Sequence, residues 1–155
     1  MIYIFSREIN SKKTTELLKF QKTFLKKIKL CSILSPKKKL KNKRVYYICF
    51  NGIKISKAVE VDGKKIAFYQ PVFDLVYNII KKNEFDFYLI DEWGPIEFKK
   101  YGFYKSVKYL LKEKKDFLIC VRKELLKDFL SFLKIKEYVL IENLNSEYKK
   151  IKCLK

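Results

Sequence analysis

One stretch of the sequence constrains the fold most, an apolar run that ends in two adjacent carboxylates. Residues 85–90, Phe-Asp-Phe-Tyr-Leu-Ile, are followed at once by Asp91 and Glu92. A short run rich in aromatic and branched residues is typical of a strand that is buried on both faces. Such strands belong to the parallel sheets of α/β proteins, where ligands bind at the carboxyl ends of the strands. The sequence therefore predicts a functional site at Asp91 and Glu92.

The rest of the chain alternates between strand patterns and helix patterns. Strands are predicted at residues 1–5, 30–34, 117–121 and 138–141, and amphipathic helices at residues 14–28, 71–80, 100–114 and 123–133. Between the first two helices, Asn51-Gly52 and Asp62-Gly63 are turn signals that predict two or three antiparallel strands. We therefore expect one α/β domain over residues 1–155, with a mainly parallel sheet, helices on both faces and an antiparallel β insertion after the first helix.

The cysteine content and the apolar start of the chain bear on its location. Four widely separated cysteines and no histidine argue against structural zinc, because no close-spaced ligand pair can form. Free cysteines in apolar runs fit a reducing cytoplasm. Residues 1–5 are too short for a signal sequence or a membrane span. We expect a cytoplasmic protein without a membrane partner.

The formal net charge of +19 favours anionic partners such as nucleotides and nucleic acids. The densest group of cations, Lys-Lys-Lys-Leu-Lys-Asn-Lys-Arg at residues 37–44, follows Pro36 in a predicted loop. Two interpretations stay open for this run, a specific anion-binding segment and a solvated loop. Tyrosines between lysines, such as Tyr46 and Tyr104, would suit stacking on nucleic-acid bases, and they fit a core equally well.

A second candidate segment follows the first predicted strand, where residues 7–15 are Arg-Glu-Ile-Asn-Ser-Lys-Lys-Thr-Thr. Together with the acidic strand, it resembles the small cancer-related nucleoside triphosphatases of the P-loop class, which also occur in thermophilic archaea and bacteria. In that family a strand leads into Gly-Glu-Pro-Gly-x-Gly-Lys-Thr-Thr, and a later strand ends in Asp-Glu-Ile-Gly-x-Met-Glu. The neighbourhood of Gly94 and Glu97 is also similar, and the order of elements agrees over nearly the whole chain.

The resemblance implies a role for individual residues. Lys13 would bind the β- and γ-phosphates of ATP or GTP, and Thr14 and Asp91 would hold Mg²⁺. Glu92 would orient the attacking water, and Arg122 would stabilise the transferred phosphoryl group. The implied phosphate-binding segment consists of Arg7, Asn10, Ser11, Lys12, Lys13, Thr14 and Thr15. Thr14 and Asp91 should then lie near each other, with the first strand parallel to the acidic strand.

The loop departs from the family pattern at its glycines, whose places are taken by Arg7, Asn10 and Lys12. A P-loop wraps backbone N–H groups around phosphate oxygens, which requires positive φ and no Cβ beside the ligand. Side chains such as Arg7 and Lys12 cost on the order of 1–2 kcal/mol each in that conformation. The expectation is therefore a weak or inactive ATP or GTP phosphohydrolase with a degenerate Walker A loop.

Two alternatives use the same fold without catalysis. The first is a P-loop-fold module that binds RNA or DNA through its basic surface, with residues 37–44 as the candidate segment. The second is a non-catalytic homologue that acts through a protein partner. Cations at the start of the first helix would favour some phosphate binding in any of these cases.

Overall fold

The computed structural model describes residues 1–8 and 13–151. In this part of the chain, the strands are β1 (Ile2–Arg7), β2 (Leu30–Leu34), β3 (Lys37–Leu40), β4 (Lys43–Phe50), β5 (Ile53–Asp62), β6 (Lys65–Phe68), β7 (Phe87–Trp93), β8 (Phe117–Arg122) and β9 (Val139–Ile141). The helices are α1 (Lys13–Phe24), α2 (Gln70–Lys82), α3 (Pro95–Phe98), α4 (Tyr104–Lys112), α5 (Leu126–Leu133) and α6 (Leu144–Glu147), with short 3₁₀ turns at Lys123–Leu125 and Tyr148–Lys150.

All nine strands form one mixed sheet. Its parallel half has the order β2-β7-β8-β1-β9, so β8 lies between β1 and β7 and pairs with both in parallel. Residues 117–121 of β8 are fully buried, because helices cover both faces, and this burial explains the continuous apolar run in the sequence. The predicted parallel arrangement of the first strand and the acidic strand is confirmed.

Two hydrophobic cores lie on the two faces of the sheet. One core packs the sheet against α2, α4 and α5 through Phe73, Val107 and Phe129. The other packs the opposite face against α1 and α6 through Leu17 and Leu144. The expected α/β architecture with helices on both faces is therefore confirmed.

The antiparallel insertion is also confirmed, and it has four strands, β3 to β6, rather than two or three. The extra strand is β3, which pairs with β4 in the register Lys37 to Tyr46. Residues 37–44, predicted as a loop, are thus β3, a two-residue turn and the start of β4. Since β2 pairs only with the last residues of β4, the rest of that edge is open to β3. Backbone hydrogen bonds hold this strand, whose exposed side chains carry no apolar alternation.

The short helix α3 (Pro95–Phe98) is not among the predicted elements, and other differences are at element ends. Helix α1 stops at Phe24 instead of residue 28, and α4 begins only at Tyr104 because the chain turns at Gly102, where φ is +60°. Near the end of the described residues, the chain forms the short helix α6. Among the described helices, none combines the length and the apolar character that a membrane crossing needs.

Candidate active site

A cavity of about 600 Å³ opens at the carboxyl edge of the parallel strands. Three elements bring candidate residues to it, namely the start of α1, the end of β7 and the end of β8. These residues are Lys13, Thr14, Thr15, Asp91, Glu92 and Arg122. Thr14 and Asp91 therefore lie in the lining of one cavity, as the parallel arrangement predicts.

Asp91 is the most buried of these side chains, with 4% of its surface exposed. The backbone N–H of Ser35 donates a hydrogen bond of 2.5 Å to its Oδ2 atom. Burial raises the pKa of Asp91 to about 6, although the Ser35 N–H and the charge of Lys13 act in the opposite direction. The ionised form of Asp91 is therefore poorly stabilised by the protein, and a bound cation would stabilise it.

Glu92 and Arg122 form an ion pair at the mouth of the cavity. Nε of Arg122 donates a hydrogen bond of 2.5 Å to Oε1 of Glu92, and about a third of each side chain is exposed. The two residues meet because β7 and β8 are neighbours in the sheet, with Trp93 paired to Val121. Two of the three residues with an implied catalytic role, Glu92 and Arg122, are therefore hydrogen-bonded to each other, and the third is Lys13.

Arg7 has a different position from the other candidates. Its guanidinium donates a hydrogen bond to the carboxylate of Glu16, in the first turn of α1. Of the candidate residues that the structure describes, Arg7 is the one outside the cavity lining. Residues 9–12, and with them the candidates Asn10, Ser11 and Lys12, lie outside the described residues. The Arg7–Glu16 pair ties together the two elements that flank this segment.

The antiparallel strands provide the opposite wall of the cavity, which the sequence analysis misses. Lys37, Tyr46, Val59 and Phe68 line it and are successive cross-strand partners on β3, β4, β5 and β6. Phe68 in turn stacks on Phe73 of α2, with ring centroids 4.9 Å apart. A cation and two aromatic rings thus face the carboxyl edge from a mainly apolar surface.

Ser35 is also missed, although it follows β2 directly. The rule that ligands bind where parallel strands end would have found it, because β2 pairs in parallel with β7. The wall residue Tyr46 is harder to find. Counting back from the Asn51-Gly52 turn pairs Tyr46 with Lys57, whereas two register shifts in the β4–β5 ladder pair it with Val59.

The loop after β7 forms a third side of the cavity and is tied together by Glu97. This side chain is 5% exposed and accepts hydrogen bonds from the backbone N–H groups of Gly94, at 2.8 Å, and Phe103, at 3.2 Å. Burial raises the pKa of Glu97 to about 7, although both N–H groups lower it. The chain passes so close to this carboxylate at Gly102 that a Cβ atom there would overlap it.

The donor atoms in the cavity fit a magnesium ion only in combination with a ligand. In the described part of the chain, no three His, Cys, Asp or Glu side chains are grouped to hold a metal. The same part offers no hydrogen-bond donor to Oδ1 of Asp91, and Thr14 lines the same cavity. Mg²⁺ is commonly bound by one or two carboxylates together with substrate phosphates. The residues present fit that mode of binding.

Comparison with known proteins gives the family and the fold of this chain. A family model described as NTPase matches residues 6–152. The crystal structure of THEP1 from the hyperthermophile Aquifex aeolicus is similar, with a TM-score of 0.64 over 97% of this chain and 96% of that chain. The two sequences are 15% identical, so the likeness shows a shared fold. No curated protein matches the chain.

Proposed function

The chain belongs to the NTPase family, and on that premise we propose that it binds ATP or GTP weakly in the cavity at the carboxyl edge, with little or no turnover. One observation carries the proposal. Lys13 and Thr14, from the start of α1, line the same cavity as Asp91 and Glu92, from the end of β7. A cation, a hydroxyl and two carboxylates in one cleft are the groups that phosphoryl transfer to water requires.

The phosphates would lie at the start of α1. The first N–H groups of a helix have no partner within the helix, and the helix dipole favours an anion at this end. Lys13 adds a full positive charge at the same place. Lys13 would therefore contact the β- and γ-phosphate oxygens, with Thr15 beside it in the cavity lining.

Magnesium would be held by Thr14 and Asp91 together with the phosphates. When bound, the ion neutralises the charge that develops on the phosphate oxygens. Asp91 suits this role because its carboxylate is buried and its Oδ2 atom is fixed by Ser35. Because Ser35 binds Oδ2, the carboxylate is held in one orientation. The position of Oδ1 is fixed with it.

Glu92 would orient the attacking water, and Arg122 would stabilise the transferred group. Arg122 can serve both partners, because Nε alone binds Glu92 and a guanidinium carries four further N–H donors. In the described residues those donors have no protein acceptor. Arg122 would therefore keep Glu92 in place while its terminal nitrogens face the phosphoryl oxygens.

Weak binding follows from the residues that replace the glycines. Arg7 is the last residue of the extended strand β1 and has no positive φ, so the strain expected at this position does not arise. Strain of about 1–2 kcal/mol at Lys12 alone would lower the affinity by roughly 5- to 30-fold. The ion pair with Glu16 also occupies the Arg7 guanidinium, so that this cation offers the phosphates little compensation.

Titration calorimetry with ATP and with GTP tests the proposal. We expect weak binding to the wild-type protein and loss of binding in Lys13→Ala. Lys19→Ala is the matched control, because Lys19 is exposed on the same helix and lies outside the cavity lining. Equal affinities of the two variants would contradict the assigned site. Sub-micromolar binding to the wild-type protein would show that the replaced glycines cost little.

A further inference from the structure

A second concavity lies at the opposite end of the sheet, where β1 and β8 begin. This groove has a volume of about 1270 Å³ and reaches Ile2 and Phe117 at its floor. Its walls come from the C-terminal part of α2, from α4 and the turn that follows it, and from the segment after α5. None of the residues that line the cavity at the carboxyl edge contributes to it.

The groove is strongly cationic. Eight lysines line it, against the two carboxylates of Glu113 and Glu137. In the described part of the chain, one of these lysines forms an ion pair, Lys105 with Asp74 at 2.9 Å. A cleft lined by one sign of charge focuses the electric field and concentrates ions of the opposite sign. The ligand of this groove should therefore be an extended polyanion.

Aromatic side chains lie among these lysines. Tyr77 of α2 and Tyr109 of α4 line the groove and meet edge to face, with ring centroids 6.1 Å apart. Tyr104 lies on the same wall, and the Lys81 ammonium is 6.0 Å from the centre of the Tyr77 ring. Single-strand binding sites have two components. Cations follow the nucleic-acid backbone, and the bases stack on aromatic rings.

We propose that this groove binds single-stranded RNA or DNA, with phosphates along the lysines and bases against the tyrosines. An acidic peptide would pair with the lysines and leave the tyrosine rings without a stacking partner, so it fits the groove less well. The basic run at residues 37–44 is a weaker candidate, because Lys43 is already paired with Glu60, at 3.0 Å, and Asp62, at 3.5 Å. Strands of six residues separate the groove from the nucleotide cavity by about 20 Å, and the two share no lining residue.

Two triple variants with the same loss of charge provide the test. The groove variant carries Lys108→Gln, Lys112→Gln and Lys136→Gln. The control carries Lys38→Gln, Lys39→Gln and Lys41→Gln in the basic hairpin, and all six lysines are exposed. Fluorescence anisotropy measures binding of a short labelled RNA without internal base pairing over a range of salt concentrations. Each phosphate contact to a single strand contributes about 0.7 to the salt slope.

For the groove variant we expect a salt slope reduced by about 2 and an affinity reduced at least about tenfold, and for the control an affinity within about twofold of wild type. Equal weakening in both variants would show attraction by net charge alone and would overturn the proposal. A larger effect in the control would move the site to residues 37–44. Tight binding of polyglutamate, or of the RNA as a duplex, would overturn the assignment to single strands.

Two further variants keep the outcome interpretable. Thermal melting shows whether each triple variant is folded. If the groove variant is not, Lys136→Gln alone should lower the salt slope by about 0.7, and an unchanged slope counts against the groove. Lys13→Ala should bind RNA as the wild-type protein does. This control separates failure of the groove from failure of the nucleotide site.

Discussion

The guanidinium of Arg122 donates a hydrogen bond of 2.5 Å to the carboxylate of Glu92, across two neighbouring parallel strands. About a third of each side chain is exposed, so the pair contributes less than about 1 kcal/mol to the free energy of unfolding. Its importance is positional. The hydrogen bond holds both charged groups at the mouth of the cavity, so each side chain limits the orientations of the other.

Restoring the glycines tests whether the acidic side of the cavity is competent. The triple variant Arg7→Gly, Asn10→Gly and Lys12→Gly removes three Cβ atoms and, at residues 10 and 12, the cost that positive φ would carry. At Arg7, which is extended in β1, no such cost is removed. We expect higher affinity for ATP or GTP and slow, magnesium-dependent hydrolysis. Calorimetry and a phosphate-release assay measure the two effects. A folded triple variant that neither binds nor hydrolyses nucleotide would favour the non-catalytic alternatives.

In that triple variant, the Arg122–Glu92 pair separates binding from chemistry. We expect Glu92→Gln to abolish turnover and spare nucleotide binding, because the amide cannot take up a proton from water. Arg122→Gln should lower turnover roughly 100-fold or more, with a change below about 1 kcal/mol in the free energy of unfolding. Steady-state kinetics and urea denaturation distinguish the two effects. Unchanged turnover in Arg122→Gln would restrict this arginine to a structural role.

The Arg7–Glu16 pair should stabilise the protein more than an exposed ion pair does. Glu16 is largely buried, with 12% of its side chain exposed, so Arg7→Ala leaves a carboxylate without its partner at a cost of about 1–3 kcal/mol. Urea denaturation measures this cost, and adding Glu16→Gln should recover part of it. Lys150→Ala is the control, since its exposed pair with Glu147 should contribute under about 1 kcal/mol. Equal effects of Arg7→Ala and Lys150→Ala would contradict the prediction.

Glu97 should make stability depend on pH near neutrality. Because burial raises its pKa from 4.5 to about 7, the folded protein binds the proton more tightly than the unfolded chain does. Glu97 therefore makes a contribution to the free energy of unfolding that is fully present below about pH 4.5. This contribution is lost as the pH rises towards 7, by up to about 3 kcal/mol. Thermal melting should show that the Glu97→Gln variant gains stability relative to the wild-type protein as the pH rises over this range. A constant difference would mean that the carboxyl group titrates normally.

Gly102 should tolerate alanine poorly. Its φ of +60° is unfavourable for other residues, and a Cβ atom there would also overlap Glu97 and Ile96. Gly63, with a φ of +57° and no atom within 4 Å of the added Cβ, is the matched control for the backbone effect alone. We expect Gly63→Ala to cost about 1 kcal/mol and Gly102→Ala about 1–3 kcal/mol more. Equal costs, measured by chemical denaturation, would mean that the loop adjusts freely.

The sequence predicts the parallel half of the sheet well because burial on both faces leaves continuous apolar runs. It does not predict β3, since the exposed lysines of that strand carry no alternation and only backbone pairing holds it. The ion pair of Glu92 with Arg122 at the site is beyond sequence reasoning for another reason. Pairing of Glu92 with Arg122 requires β7 beside β8, and the order of strands in a sheet is a property of the tertiary fold.

Strand β8 separates β1 from β7, and this spacing bears on how the protein can evolve. Two strand spacings, about 10 Å, separate the end of β1 from the carboxylates of Asp91 and Glu92 at the end of β7. In the described part of the chain, the acidic side is fixed by β2, β8 and the buried loop around Glu97. On the proposed function, substitutions after β1 would leave these supports of the acidic side in place. The sequence has Arg7, Asn10 and Lys12 where the resembling family has glycines, together with the adjacent Asp91 and Glu92, and drift on one side of the cleft alone would produce that pattern.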